Sequence, residues 1–150
     1  MKKLLSILGF IFILLITVIA YLAFAGIQLD KESASFANII VPSIVTNWDM
    51  TALAQNGNSR FIETMNQSPD REKIISDYKS LGHMLSFNGC QGQAHVDVSS
   101  RGKFTSAQYV CGAAFEKAPA TINLVIFKDP VKGWQIIGFK VVSSYFLRSQ

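Results

Sequence analysis

Charge is scarce in this chain. Lys, Arg, Asp and Glu make up 16% of its 150 residues, against about a quarter in ordinary soluble domains. Lys2 and Lys3 supply two of the fourteen basic residues, which leaves twelve against ten acidic ones. No run of Lys or Arg with interleaved aromatics occurs, which argues against a nucleic-acid partner. There is no glycine-rich phosphate loop, no H-E-x-x-H, no G-x-S-x-G and no paired-carboxylate constellation. The chemistries that those motifs carry have no visible seat here. Internal repeats and low-complexity tracts are missing too. Cysteines number two and histidines two. Two thiolates without further ligands make no zinc site, and dithiol redox chemistry usually needs a Cys-x-x-Cys spacing that is not present. The sequence therefore implies no metal and no cofactor. It lowers the expectation of an enzyme without removing it.

The N-terminus holds what the rest lacks, a long uncharged apolar run. From Leu4 to Ile27 no residue is charged. As a helix this stretch would be about 36 Å long, enough to cross a hydrocarbon core. It reads as an uncleaved anchor or as a signal peptide, because Ala23-Phe24-Ala25 resembles a cleavage site before Gly26. The run exceeds the roughly 7–15 residues of a usual signal h-region, which favours the anchor. Lys2 and Lys3 orient the N-terminus to the cytoplasm, so the remainder is exported in either case. The short Met-Lys-Lys start has a bacterial style. The expectation is a single-pass inner-membrane protein with a periplasmic C-terminal domain, or a secreted one after cleavage near Ala25. Its domains are residues 1–27 as the span, 28–35 as a juxtamembrane spacer and 36–147 as the folded part. Residues 4–27 have the lipid bilayer as partner.

Past the spacer, which also reads as a helix start, Phe36, Ile39, Ile40, Ile44, Val45 and Trp48 recur at three- and four-residue spacings. They predict a helix over about residues 34–55, kinked or started by Pro42. Asn56-Gly57-Asn58 is a stop. Ser59 suits the cap of a short helix carrying Phe61, Ile62 and Met65. Ser68-Pro69-Asp70 is a further start signal, with Ser68 as cap and Pro69 as first helical residue. Ile74, Ile75, Tyr78 and Leu81 give that helix an apolar face, and Gly82 ends it. The period then falls to two. Strands are expected at 85–99, 103–116, 120–128 and 134–146, joined by short turns and so antiparallel to their neighbours. Helices first and strands later make an α+β fold.

Cys90 and Cys111 fall in the first two strands. A four-residue turn from Ser99 to Gly102 sets Val98 against Lys103, Ala94 against Ala107, and Cys90 against Cys111. Cβ atoms of directly opposed residues lie close enough for a disulfide, and an oxidising compartment would form it. The loop of about 20 residues would contribute on the order of 3 kcal/mol. Two free core cysteines are the plainer alternative, and a two-residue turn at Arg101-Gly102 would instead oppose Cys90 and Ala113.

The cysteine face of these strands is apolar, with Ala94, Val96, Val98, Ala107, Tyr109, Ala113 and Phe115, and should pack on the helices. The other face carries Gln91, Gln93, His95, Asp97, Ser106 and Gln108 and should meet water or a partner. His95, Asp97 and Ser106 share that face, yet such residues on an open sheet are far more often solvated than catalytic. His83 falls at a helix-to-strand corner, where a nearby carbonyl usually satisfies it. Tyr78 and Tyr109 suit a cavity wall or, more commonly, a core position with the hydroxyl at the rim. The last two strands are apolar on both sides, which suggests burial between layers or an oligomer contact.

The first helix ending near Trp48, Tyr78-x-x-Leu81-Gly82 before the first strand, the Tyr109-Val110-Cys111-Gly112-Ala113-Ala114-Phe115 strand and the closing Gly133-Trp134-Gln135-Ile136-Ile137-Gly138-Phe139 strand together resemble the nuclear transport factor 2-like, or cystatin-like cone, superfamily. The resemblance covers about residues 36–146. It implies about three helices on a curved four-stranded antiparallel sheet, often with a pocket at the open end and often a dimer. No catalytic residue carries over, because the inward positions are apolar and fold alone assigns no function. Three functions follow as expectations. The first is a tethered, non-enzymatic periplasmic domain that binds an envelope protein, or a second copy through the sheet. The second is a carrier or sensor of an apolar ligand, with Tyr78, Met84, Tyr109 and Phe115 as pocket candidates. An isomerase- or hydrolase-like enzyme ranks last.

Overall fold

The structure is a computed structural model that describes residues 2–100 and 102–147, with side chains from residue 11 onward. The described residues form α1 (Lys2–Val45), α2 (Met50–Asn56), α3 (Ser59–Gln67), α4 (Arg71–Ser80), β1 (Met84–Ser99), β2 (Gly102–Phe115), β3 (Pro119–Asp129) and β4 (Gly133–Val142). The fold is α+β, with a curved, unclosed antiparallel sheet in the order β1-β2-β3-β4. Contacts divide the chain into two units, Met1–Glu32 and Ser33–Gln150.

In the first unit the apolar side chains of residues 11–27 are exposed. Two side chains among them carry hydroxyls, Thr17 and Tyr21. The Thr17 hydroxyl donates back to the carbonyls of Ile13 (2.7 Å) and Leu14 (3.0 Å). A helix that keeps its backbone hydrogen bonds internal and is apolar nearly all round suits a hydrocarbon environment. By length and composition this helix is able to cross a membrane or serve as a signal sequence.

The stretch expected as a spacer, QLDKESAS, is helical throughout. It contains neither Gly nor Pro, and its Lys, Glu and Ala are good helix formers. Pro42 lies inside α1 and does not start it. The buried face of the second unit's part of α1 is Ala37, Ile40, Val41, Ile44 and Val45. Phe36 is half-buried and Ile39 is 69% exposed, so the face is rotated from the one that the largest residues suggest. The small Ala37 and Ser33 occupy the inner side instead. Ser33 is fully buried, and its hydroxyl and the Tyr109 hydroxyl are hydrogen-bonded at 2.8 Å.

Helix caps also differ from expectation. Asn58, not Ser59, caps α3 by accepting the Arg60 amide (3.1 Å). α4 starts at Arg71 after Asp70, because the Ser68 carbonyl takes the Arg71 amide in a turn (3.2 Å) and leaves Ser68 and Pro69 outside the helix. Asp49 caps α2 through the amides of Thr51 (2.8 Å) and Ala52 (3.3 Å).

Burial alternates along β2 and β3. Thr105, Ala107, Tyr109, Cys111, Ala113 and Phe115 of β2 are buried, as are Ala120, Ile122, Leu124 and Ile126 of β3. These pack with α1, Trp48, Leu53, Leu81, Ile136 and Val141 into one core. Pairing in the first hairpin runs to Ser99↔Gly102, with Ala94↔Ala107 and Cys90↔Cys111 in register. Arg101 of the expected turn lies outside the described residues. Two irregularities, between Met84 and Ser86 and between Phe87 and Cys90, shift the register. Without them the Met84↔Phe115 pairing would set Cys90 against Tyr109. Gly89 makes the second bulge possible with φ +86°. The Cys90 amide that leaves the ladder there is taken by Asn38 Oδ1 of α1 (3.0 Å). Cys90 and Cys111 form a disulfide with Cα atoms 4.0 Å apart.

Candidate ligand cavity

The short helices explain the site. Phe61, Thr64, Met65 and Ser68 fall at i, i+3, i+4 and i+7 along and just beyond α3. Arg71, Ile74, Ile75 and Tyr78 repeat that spacing on α4. Such stripes share one helix face, and normally a core covers them. Here neither α3 nor α4 buries any residue fully. Both stripes face a common hollow of about 540 Å³, closed by Met50 and Leu53 of α2, Phe139 and Val141 of β4, and Phe146. That volume is within the roughly 300–1,000 Å³ of small-molecule sites.

Two anchors hold the hollow open. The α2–α3 junction is pinned to β4, where the Asn58 amide donates to the Ile136 carbonyl (2.8 Å) and Gly57 bridges Ile136. The start of α2 is pinned by Trp48, which is 5% exposed. Its Nε1 donates to the Gly82 carbonyl (3.1 Å), and its ring lies 5.1 Å from Phe115 and 5.6 Å from Tyr78. Trp48 adopts φ +52°, a left-handed conformation that a bulky residue enters only when its surroundings impose it.

The lining is apolar with a few polar groups, and these are mainly donors. The Tyr78 hydroxyl accepts the Val141 amide (3.2 Å), and its own hydrogen has no acceptor among the described residues. Burial pushes the Tyr78 phenol up from its ordinary value, the Val141 hydrogen bond opposes this, and the nearby Asp77 charge adds to it. Arg71 is half-buried, and its Nε is fully buried with no hydrogen-bond partner. Lys140 and Asp77 are exposed at the wall. A second hollow of about 530 Å³ against α3, where Ala54 and Ile62 lie beside Ser59, Glu63, Asn66 and Gln67, offers less apolar surface than the first.

Set against known proteins, the chain matches no family model, no curated protein and no solved structure.

Of the four residues expected at a pocket, Tyr78 lines this cavity and the other three do not. Phe115 lies behind Trp48, which has Tyr78 as its other ring neighbour. Tyr109 is deep in the core on Ser33. Met84 pairs with Phe115 at the start of β1. Sequence reasoning missed Arg71, Phe139 and Phe146 as wall residues. The Arg71-to-Tyr78 spacing was available as a signal, but a charged residue at the head of an apolar stripe reads as solvated. His95, Gln93, Asp97 and Gln108 are exposed on the outer sheet face, with His95 Nε2 3.4 Å from Gln93 Nε2. His95 is opposite Ser106 and Asp97 opposite Phe104. His83 is exposed, and its amide donates to Glu116 Oε2 (3.2 Å).

Proposed function

We propose that this chain is a membrane-associated, exported domain that holds an apolar small molecule in the cavity between α2, α3, α4 and β4. One observation carries the reading: α3 and α4 turn Phe61, Met65, Ile74, Ile75 and Tyr78 onto a hollow, and neither helix buries a residue fully. Apolar surface left facing a void forgoes about 25 cal/mol for each Å2 that a ligand would cover, a strong drive toward occupancy. The apolar N-terminal helix and the disulfide support placement of the domain in an oxidising compartment outside the cytoplasm, and a bacterial periplasm is the compartment we propose. Function here is transport or sensing, not turnover. Native mass spectrometry of full-length protein purified from its natural cells should find a small-molecule adduct. Met65→Trp, which puts a bulkier ring into the hollow, should reduce the adduct while far-UV circular dichroism stays unchanged. Protein that is bare in both forms, or an adduct undiminished by Met65→Trp, would sink the proposal.

A second reading, an assembly domain for an envelope partner, is favoured by a different observation. On the outer sheet face Phe104 and Phe127 stack at 4.9 Å, and Phe104, Val110 and Val142 are exposed. Crosslinking in intact cells through Val110 should then trap one specific neighbour, whereas recovery of monomer alone would dismiss that role.

A further inference from the structure

The polar groups in the cavity wall say what kind of head the ligand carries. We infer that it is an amphiphile with an anionic head, a carboxylate above all, seated on Arg71 and Tyr78 with its apolar tail among Phe61, Met65, Phe139 and Phe146. This rests on the cavity reading above and deepens it.

The argument is one of unmet donors. A buried N–H without an acceptor is costly, and more so on a cation. Native proteins seldom leave such a group empty unless an ion, water or ligand completes it. Arg71 Nε is such a group, and Arg71 makes no hydrogen bond or ion pair through its side chain among the described residues. The Tyr78 hydroxyl accepts from Val141 and keeps its hydrogen to give. Arg71 and Tyr78 stand at the two ends of one helical stripe, seven residues apart, and both line the same hollow. Lys140 adds a second cation to the wall, against one carboxylate, Asp77. Asp77 is exposed and can keep its own water. The site therefore offers two donors and an excess of positive charge beside an apolar volume. A guanidinium pairs with a carboxylate through charge-assisted bonds about twice as strong as neutral ones. A neutral alcohol would leave that charge uncompensated, and an alkylammonium would add to it.

The test uses the full chain in phospholipid nanodiscs and two photolabels with the same diazirine-bearing decyl tail, one ending in a carboxylate and one in a hydroxyl. The labelled residues are mapped by mass spectrometry. The carboxylate probe should mark Phe61, Met65 or Phe146 at about tenfold lower concentration than the hydroxyl probe, the factor expected for one charge-assisted hydrogen bond. Arg71→Gln should erase that preference, so that the carboxylate probe needs as high a concentration as the hydroxyl probe. Tyr78→Phe, which keeps the ring, should reduce the preference severalfold and serves independently if Arg71→Gln fails to fold. Equal labelling by both probes in the unaltered protein, or a preference untouched by both substitutions, overturns the inference and leaves the cavity reading standing. Labelling by neither probe inside the cavity overturns both.

Discussion

Trp48 offers a measurement in which two effects of known size oppose each other. Its φ of +52° places a bulky side chain in the left-handed region, which disfavours a non-glycine residue by about 1–2 kcal/mol. Against this stands an indole that is 5% exposed, donates to the Gly82 carbonyl and packs on Phe115 and Tyr78. Truncating such a ring to alanine removes about 3–5 kcal/mol. The ring wins, which is why the conformation persists. Trp48→Ala should thus lose about 3–5 kcal/mol, since alanine inherits the strained backbone without the packing. Trp48→Gly loses the same packing but relieves the strain. Glycine also gives the unfolded chain more freedom, which opposes the gain by about 0.4–1 kcal/mol. The balance leaves Trp48→Gly more stable than Trp48→Ala by about 1 kcal/mol, the reverse of the usual order. Urea unfolding of the full chain, followed by the fluorescence of Trp134, reads both variants; the chain has no third tryptophan. If the alanine variant proves as stable as the glycine variant or more so, the left-handed strain argument is wrong.

Replacing both cysteines, Cys90→Ala with Cys111→Ala, should lower the stability of unreduced protein by about 3 kcal/mol through the freed loop; a urea midpoint unchanged from wild type would mean the bond contributes nothing. Gly92→Ala should destabilise by about 1–3 kcal/mol, because its Cβ would run into the Gln108 carbonyl and the Tyr109 ring on β2. Gly26→Ala, with open space around it, is the control, and equal melting temperatures for the two variants would refute the packing argument. Tyr78 sets an alkaline limit. Its folded pKa is raised, so its contribution is complete below the unfolded value of about 10 and is lost as pH climbs through the folded one. Tyr78→Phe should therefore flatten the fall in stability as pH rises above about 10, and an identical fall in both proteins would exclude Tyr78 as its source.

The legible parts of this fold were those set by local spacing. Turn lengths placed the strands and opposed Cys90 to Cys111, and alternation along 103–116 separated the core face from the polar one. What escaped notice depends on partners distant in sequence. Size favoured Ile39 over Ala37 on the helix face, but a close approach to Tyr109 selects small residues such as Ser33. Ser68 makes a good cap by type, yet its carbonyl is committed to the Arg71 amide. The bulge at Gly89 needed Asn38, some fifty positions earlier, to satisfy the Cys90 amide. The cavity was hidden for the same reason. An apolar stripe reads identically whether it meets a core or a hollow, and only the pinning of the α2–α3 junction to Ile136 decides between them. Hence Tyr78 was singled out, whereas Arg71 was not.

The meander has a consequence for how the chain matures. Every strand bonds to its neighbour in sequence, so each newly completed strand finds its mate already waiting, with little entropy lost to long loops. With only two thiols in the chain, and both in the first hairpin, oxidation within one molecule has a single possible product. Such a protein asks its cell for an oxidant and has no use for a disulfide isomerase.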